Sequence, residues 1–202
     1  MTTTETTPPK RKITPADIIA YEKYAADRAE FRKNMIPMKK NRRVEVGPFA
    51  TFYFENYDTM WLQVQEMLHI EKGGSGQIEG ELETYNPLIP QGTELIATLM
   101  LEIDDEKRRE RELYRLAGVE EATFLQLNDE RIPGAPTEYD ERTTPDGKTS
   151  SVHWVRFTFS PQQIAKFKDP SIEVVLGVAH PAYSHMAVVM TEIRAELAKD
   201  FA

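Results

Sequence analysis

The chain has 202 residues, 40% of them hydrophobic and 29% charged, with a net charge of -8 and no cysteine. That length suits one large domain, and the missing thiols exclude disulfides, thiolate zinc sites, Cys-ligated iron–sulfur clusters and cysteine nucleophiles. No apolar run reaches the ~18 residues of a membrane span, and Met1–Pro9 lacks the apolar stretch of a secretory signal, so a cytoplasmic protein with no membrane partner is expected.

The charge is unevenly distributed. Residues 1–44 carry eleven basic and five acidic groups, a net +6, whereas residues 45–106 carry thirteen acids and a single base, Lys72, a net -12. A pI near 5.2 weighs against general nucleic-acid binding, which needs a net positive surface to neutralise phosphates.

Residues 1–12 are rich in Thr and Pro and predict a disordered tail. Thr14-Pro15-Ala16-Asp17 reads as a helix start, with the helix running to Lys33–Met35 and stopping before Pro37. Its thin stripe of Ile18, Tyr21, Ala25 and Ala29 predicts a peripheral position. From Arg42 to Glu55 the apolar period becomes two, interrupted at Gly47-Pro48, which predicts two strands or one bent strand. Asn56 or Asp58 caps a helix through Glu71 that turns Met60, Trp61, Val64, Met67 and Leu68 to one face. Lys72–Gly76 ends it, and a short helix over 77–85 leads into the rigid loop Tyr85–Pro90.

Glu94–Ile103 is apolar on both faces and suits a central strand. Asp104 or Asp105 caps a charged helix ending at Gly118, and 122–127 is a further strand. Asn128–Ser151 reads as polar and turn-rich, with a hairpin tip at Thr144-Pro145-Asp146-Gly147. Strands at 151–159 and 172–180 flank a helix capped by Ser160-Pro161. A closing helix over roughly 182–200 is expected to bury Met186, Val189, Met190, Ile193 and Leu197. The whole predicts an α+β fold, an antiparallel or mixed sheet of about five to six strands flanked by helices. It forms one domain over 13–202, with a basic helical arm at 13–43 packed on it.

The histidines are the first candidates for chemistry. If the strands at 151–159 and 172–180 pair with Phe159 opposite Val174, His153 falls opposite His180, with Cβ atoms ~4.5–5.5 Å apart. Two imidazoles joined by a carboxylate, Glu55 or Glu66, suit a divalent metal or a proton relay. A slip of one residue separates the rings, and two buried histidines bonded to backbone are the structural alternative. Glu66-Met67-Leu68-His69 is a single Glu-x-x-His step, whereas di-iron bundles use two with further glutamates, so a solvated pair is expected there.

Arg32, Lys33, Lys39, Lys40, Arg42 and Arg43 lie between Phe31 and Val44 with no intervening acid. Lys39, Lys40, Arg42 and Arg43 are the candidates for binding an anion or an acidic partner. Equally, this arm can dock on the acidic block that follows it, because a +6 segment beside a -12 segment attracts over a Debye length of ~8–10 Å. Gly73-Gly74-Ser75-Gly76 has neither P-loop nor dinucleotide spacing, and no Gly-x-Ser-x-Gly elbow occurs.

The stretches Arg42–Pro48, Thr51–Asn56, Glu66-Met67-Leu68, Tyr85–Pro90 and His180-Pro181-Ala182-Tyr183 resemble a bacterial family known only as a domain of unknown function. The resemblance covers nearly the whole chain after residue 12 and carries no established activity. Genes of that family often lie beside those of rubrerythrin and iron–sulfur oxidoreductase proteins, which implies a role near oxidative stress or electron transfer. The expectation is therefore an accessory binding protein acting with a redox protein partner. Two further possibilities stay open: a metal-binding protein or metal-dependent enzyme built on His153 and His180, and association as a homodimer.

Overall fold

Alternation after Arg42 becomes a hairpin in the computed structural model, which describes residues 9–137 and 142–202. Strands β1 (Arg43–Val46) and β2 (Ala50–Phe54) pair antiparallel around a turn in which Gly47 has φ +73°. The remaining strands are β3 (Glu94–Leu101), β4 (Thr123–Leu127), β5 (Glu130–Pro136), β6 (Val152–Thr158), β7 (Val174–His180) and β8 (Tyr183–Val188). Their order is β1-β2-β3-β6-β5-β4-β7-β8, with every pairing antiparallel. The sheet curls until β8 comes back to β1, giving a nearly closed, barrel-like wall.

Eight strands that wrap on themselves replace the expected five or six flanked by helices. Two strands account for the difference. β5 holds Pro133, Gly134 and Pro136 and turns only Ile132 and Gly134 inward, so it lacks the apolar alternation that marks a strand. Gly134 leaves no room for a side chain, since a Cβ there would lie 2.1 Å from Thr123 Oγ1. β8 sits inside the stretch read as the closing helix, where Met186 and Met190 fall at helical spacing but are 63% and 60% exposed. The helix α6 begins only at Thr191 and ends at Leu197.

An eight-stranded wall has an interior just wide enough to be filled by side chains. Phe52, Phe54, Leu95, Leu99, Val155, Phe157, Leu125 and Leu176 fill it, each at most 1% exposed. Beyond the last residue of β6, Phe159 packs edge-on against Phe167 and Phe201 and closes one end. Leu113, Leu116 and Val119, on and after helix α4 (Glu106–Arg115), join the same core. Tyr183 bridges the gap between β1 and β8. The Tyr183 hydroxyl donates to Val46 O (2.6 Å) and accepts from Phe49 N (3.3 Å) and Ala50 N (3.1 Å).

Helices cover part of the outer face. α2 (Tyr57–Glu71) starts at Asn56, whose side chain accepts from Thr59 N, and ends at Lys72 in the left-handed region. With α3 (Ile78–Tyr85) it packs Met60, Val64 and Leu82 against Ile96, an outward-facing residue of β3. This second cluster includes Ile13, fully buried, whose N–H and C=O both bond the Asn86 side chain.

Helix α1 (Tyr21–Lys40) lies over α2 with Tyr24 as its only buried residue, so it is peripheral as expected. It does not stop before Pro37 but runs through it. Pro15–Asp17 forms a separate short 3₁₀ turn ahead of it, capped by Thr14. Helix α5 (Pro161–Lys168) opens on Ser160, whose hydroxyl accepts from Gln163 N.

Candidate functional site

The filled interior leaves the outer face as the place for a concave site. Strand pairing sets Tyr53, Thr98 and Trp154 in one row across β2, β3 and β6, with Met100 and Val152 paired in a second row. Because Phe52 and Phe54 point inward, alternation sends Glu55 outward, beneath α2. Thr59, Met60 and Gln63 from α2 and Tyr85 from α3 complete the walls of a pocket of about 360 Å³. A volume of that order is typical of a small-molecule site.

Glu55 lies in this pocket and is 8% exposed. The Thr98 hydroxyl donates to its Oε1 at 2.6 Å, and the Thr59 hydroxyl, which donates to Asn56 O at 3.1 Å, lies close by. Burial pushes the carboxyl above its ordinary value, and those hydroxyls and the charges of Lys39 and Arg42 only partly offset the effect. A buried carboxyl whose charge is disfavoured in this way, set in the wall of a pocket, is a candidate for a functional group.

Lys39, Tyr53 and Gln63 line this pocket and also the neighbouring cleft between α1 and α2, so the two spaces adjoin. The cleft, about 1100 Å³, is bordered by Arg28, Arg32, Lys33, Lys39, Lys40 and Arg43. Some of these cations are already engaged. Arg28 and Arg32 bond Glu66 (2.7 and 3.1 Å), which also accepts from the Tyr24 hydroxyl at 2.6 Å. Arg28 above all holds the Glu66 carboxyl down at about 2. Arg43 pairs with Glu45 at 2.7 Å. Lys33, Lys39 and Lys40 are exposed and form no ion pair among the described residues.

Arg42, adjacent in sequence, is turned the other way. It is 1% exposed and donates to Phe54 O, Glu55 O and the Asp200 carboxylate, with Glu196 at 3.5 Å. Its guanidinium fastens the chain terminus to the start of β1 and backs the pocket from behind Glu55.

The histidines occupy separate places. β6 pairs with β3 and β5, while β7 pairs with β4 and β8, so the supposed register between β6 and β7 does not form. His153 lies opposite Leu99 and His180 opposite Tyr183. His153 is 1% exposed, with Nε2 bonded to Ser150 O (2.9 Å) and Nδ1 3.6 Å from Glu120 Oε2. Burial lowers its pKa, against the pull of Glu120. His180 Nε2 bonds Ala117 O at 3.2 Å, and its Nδ1 accepts from Ala182 N. Glu55 and Glu66 sit in the pocket and the cleft rather than beside either ring. Among the described residues no group of three or more His, Asp or Glu side chains is gathered as a metal would need.

Sequence reasoning singled out Glu55, Lys39 and Lys40 but not Gln63, Tyr85, Thr98 or Trp154. One signal for the wall was present. β3 is apolar on both faces, so its outward residues had to be covered by something.

Fold and site together define a barrel-like α+β domain with a lined pocket on its outer face. The chain belongs to the family described as protein of unknown function (DUF3501), whose model matches residues 12–201. It is similar to the crystal structure of a novel protein of unknown function from Burkholderia pseudomallei K96243, at 34% identity and a TM-score of 0.85, over 95% of this chain and 100% of that one. No curated protein matches it. No helix among the described residues is long and apolar enough to cross a membrane.

Proposed function

We propose that this protein is an accessory binding protein whose small-molecule ligand seats on Glu55 and extends into the basic cleft. The observation that carries this reading is the Glu55 carboxyl, buried in a pocket walled by Met60, Tyr85, Met100 and Trp154 with Lys39 at the join to the cleft. An N–H donor on the ligand supplies the partner that burial denies an ionised carboxylate. The rings of Tyr85 and Trp154 accept a flat body. Lys33, Lys39 and Lys40 take a phosphate or carboxylate. The ligand class is thus a donor-bearing ring with an acidic tail.

Rubrerythrin and iron–sulfur oxidoreductase proteins, the partners implied by the family resemblance, fit this reading as the proteins beside which the module works. An acidic patch on such a partner meets the same three lysines. Pull-down from the native extract then loses the partner as salt rises. Fragment screening by protein-observed NMR tests the site itself. Fragments with a ring N–H and an acid group are expected to shift the Trp154 indole, Gln63 and Thr98 signals, and to lose affinity in the Glu55→Gln variant. Hits that ignore these residues contradict the reading.

A further inference from the structure

Helix α2 carries two buried polar atoms with no hydrogen-bond partner among the described residues, Gln65 Nε2 and His69 Nδ1. The residues are four apart and therefore share one helix face. Both line a cavity of about 550 Å³ between α2 and the chain leading into α1, and this cavity shares no lining residue with the Glu55 pocket. Its remaining walls are mostly apolar, with Ile18, Ile19, Leu68 and Ile78 on the sides and the rings of Tyr21 and Tyr24 across the top. Tyr21 stacks on His69 with centroids 5.3 Å apart and planes 22° from parallel, and Tyr24 meets the same ring edge-on at 5.9 Å. The imidazole thus packs against two rings, while Gln65 is only 1% exposed.

An unpaired buried polar group is destabilising by about 1–3 kcal/mol, and in the Nδ1–H tautomer of His69 both atoms are donors, so together on one wall of a cavity they call for an acceptor. The electrostatics narrow its nature. The site adjoins the C-terminal end of α2, where unpaired carbonyls present a partial negative charge. Lys72, the one cation lining the cavity, caps that same end. An anion gains little there, whereas a neutral oxygen accepts from both nitrogens without a charge to offset.

We propose that this cavity binds a neutral, flat, apolar molecule bearing a carbonyl oxygen. That oxygen accepts from Gln65 Nε2 and from the Nδ1–H of His69, and the ring system lies among the isoleucines and beside Tyr21.

The test uses the full chain and three probes of one shape, 2-acetylnaphthalene, 2-ethylnaphthalene and 2-naphthoate, titrated by calorimetry and NMR. The ketone is expected to bind at least about tenfold tighter than the hydrocarbon, as two hydrogen bonds imply, and tighter than the carboxylate. In the Gln65→Met/His69→Phe double variant, which keeps the volume and removes both donors, that preference should vanish while the hydrocarbon still binds. Equal binding of ketone and hydrocarbon, tighter binding of the naphthoate, or a preference that survives in the double variant overturns the proposal. Failure of all three to bind the wild-type chain overturns it too, and assigns the two atoms to ordered water.

Discussion

At the scale of single residues, Glu55 and Arg42 show how neighbouring charges take opposite roles. Glu55 is a carboxyl whose burial favours the protonated form, so the native state holds its proton more tightly than the unfolded chain does. Stability then declines as pH rises from the ordinary value of 4.5 through the raised native value, and the full penalty applies above it. Glu55→Gln removes the ionisation. It is expected to raise the melting temperature at pH 7.5 and to change it much less at pH 4; equal shifts at both pH values would contradict the assignment. Arg42 works the other way, because its buried guanidinium serves Asp200 and two carbonyls. Arg42→Ala strands those partners, and a loss of about 3–5 kcal/mol in denaturant unfolding is expected.

Among secondary-structure elements, local chemistry and tertiary contact divide the work. The Asn56 and Ser160 caps, the turn at Gly47-Pro48 and the two-sided apolar run of β3 were legible because each is decided within a few residues. β5 and β8 were not, since both owe their strand conformation to neighbours. β5 is held by pairing with β4 and β6 despite its prolines, and β8 by pairing with β7 while exposing Met186 and Val188. The histidine register failed for the same reason, because strands consecutive in the chain need not be adjacent in the sheet. The β1–β8 junction gives the element its own prediction. Tyr183→Phe leaves Val46 O, Phe49 N and Ala50 N without their partner, so a loss of about 1–3 kcal/mol is expected, with hydrogen exchange rising first in the β1–β2 turn. Unchanged exchange there would show that the hydroxyl does not hold the seam.

α1 is the element through which charge shapes the site. The +6 segment meets the -12 segment where Arg28 and Arg32 bond Glu66 beside Tyr24, and again where Arg43 pairs with Glu45 and approaches Glu102 at 3.8 Å. Because the native Glu66 carboxyl titrates near 2 rather than at 4.5, its contribution is complete at neutral pH. That contribution fades as pH falls from about 4.5 through 2. Glu66→Gln should therefore loosen α1 at pH 7, seen as faster exchange along Tyr21–Lys40. The difference from wild type should shrink toward pH 2; a difference independent of pH would contradict this account.

For the whole molecule, the charge division along the sequence becomes in part a seam between α1 and α2, where Arg28 and Arg32 meet Glu66. Among the described residues Lys33, Lys39 and Lys40, which border the adjoining cleft, form no ion pair. The barrel-like wall keeps its interior as core, and the pockets at Glu55 and Gln65 lie outside it against the helices. Glu55 was visible in the sequence as an acid on a strand, but its meaning was not. The pocket is assembled from β2, β3, β6, α2 and α3, which meet only in three dimensions. The central claim is that a ligand donor completes this buried carboxyl. Carbon-detected NMR titration of Glu55, free and saturated with the best ring N–H acid fragment, tests it most directly. The account predicts a carboxyl that titrates above 4.5 when free and falls on binding; a value that is ordinary when free, or unmoved by the ligand, would contradict it.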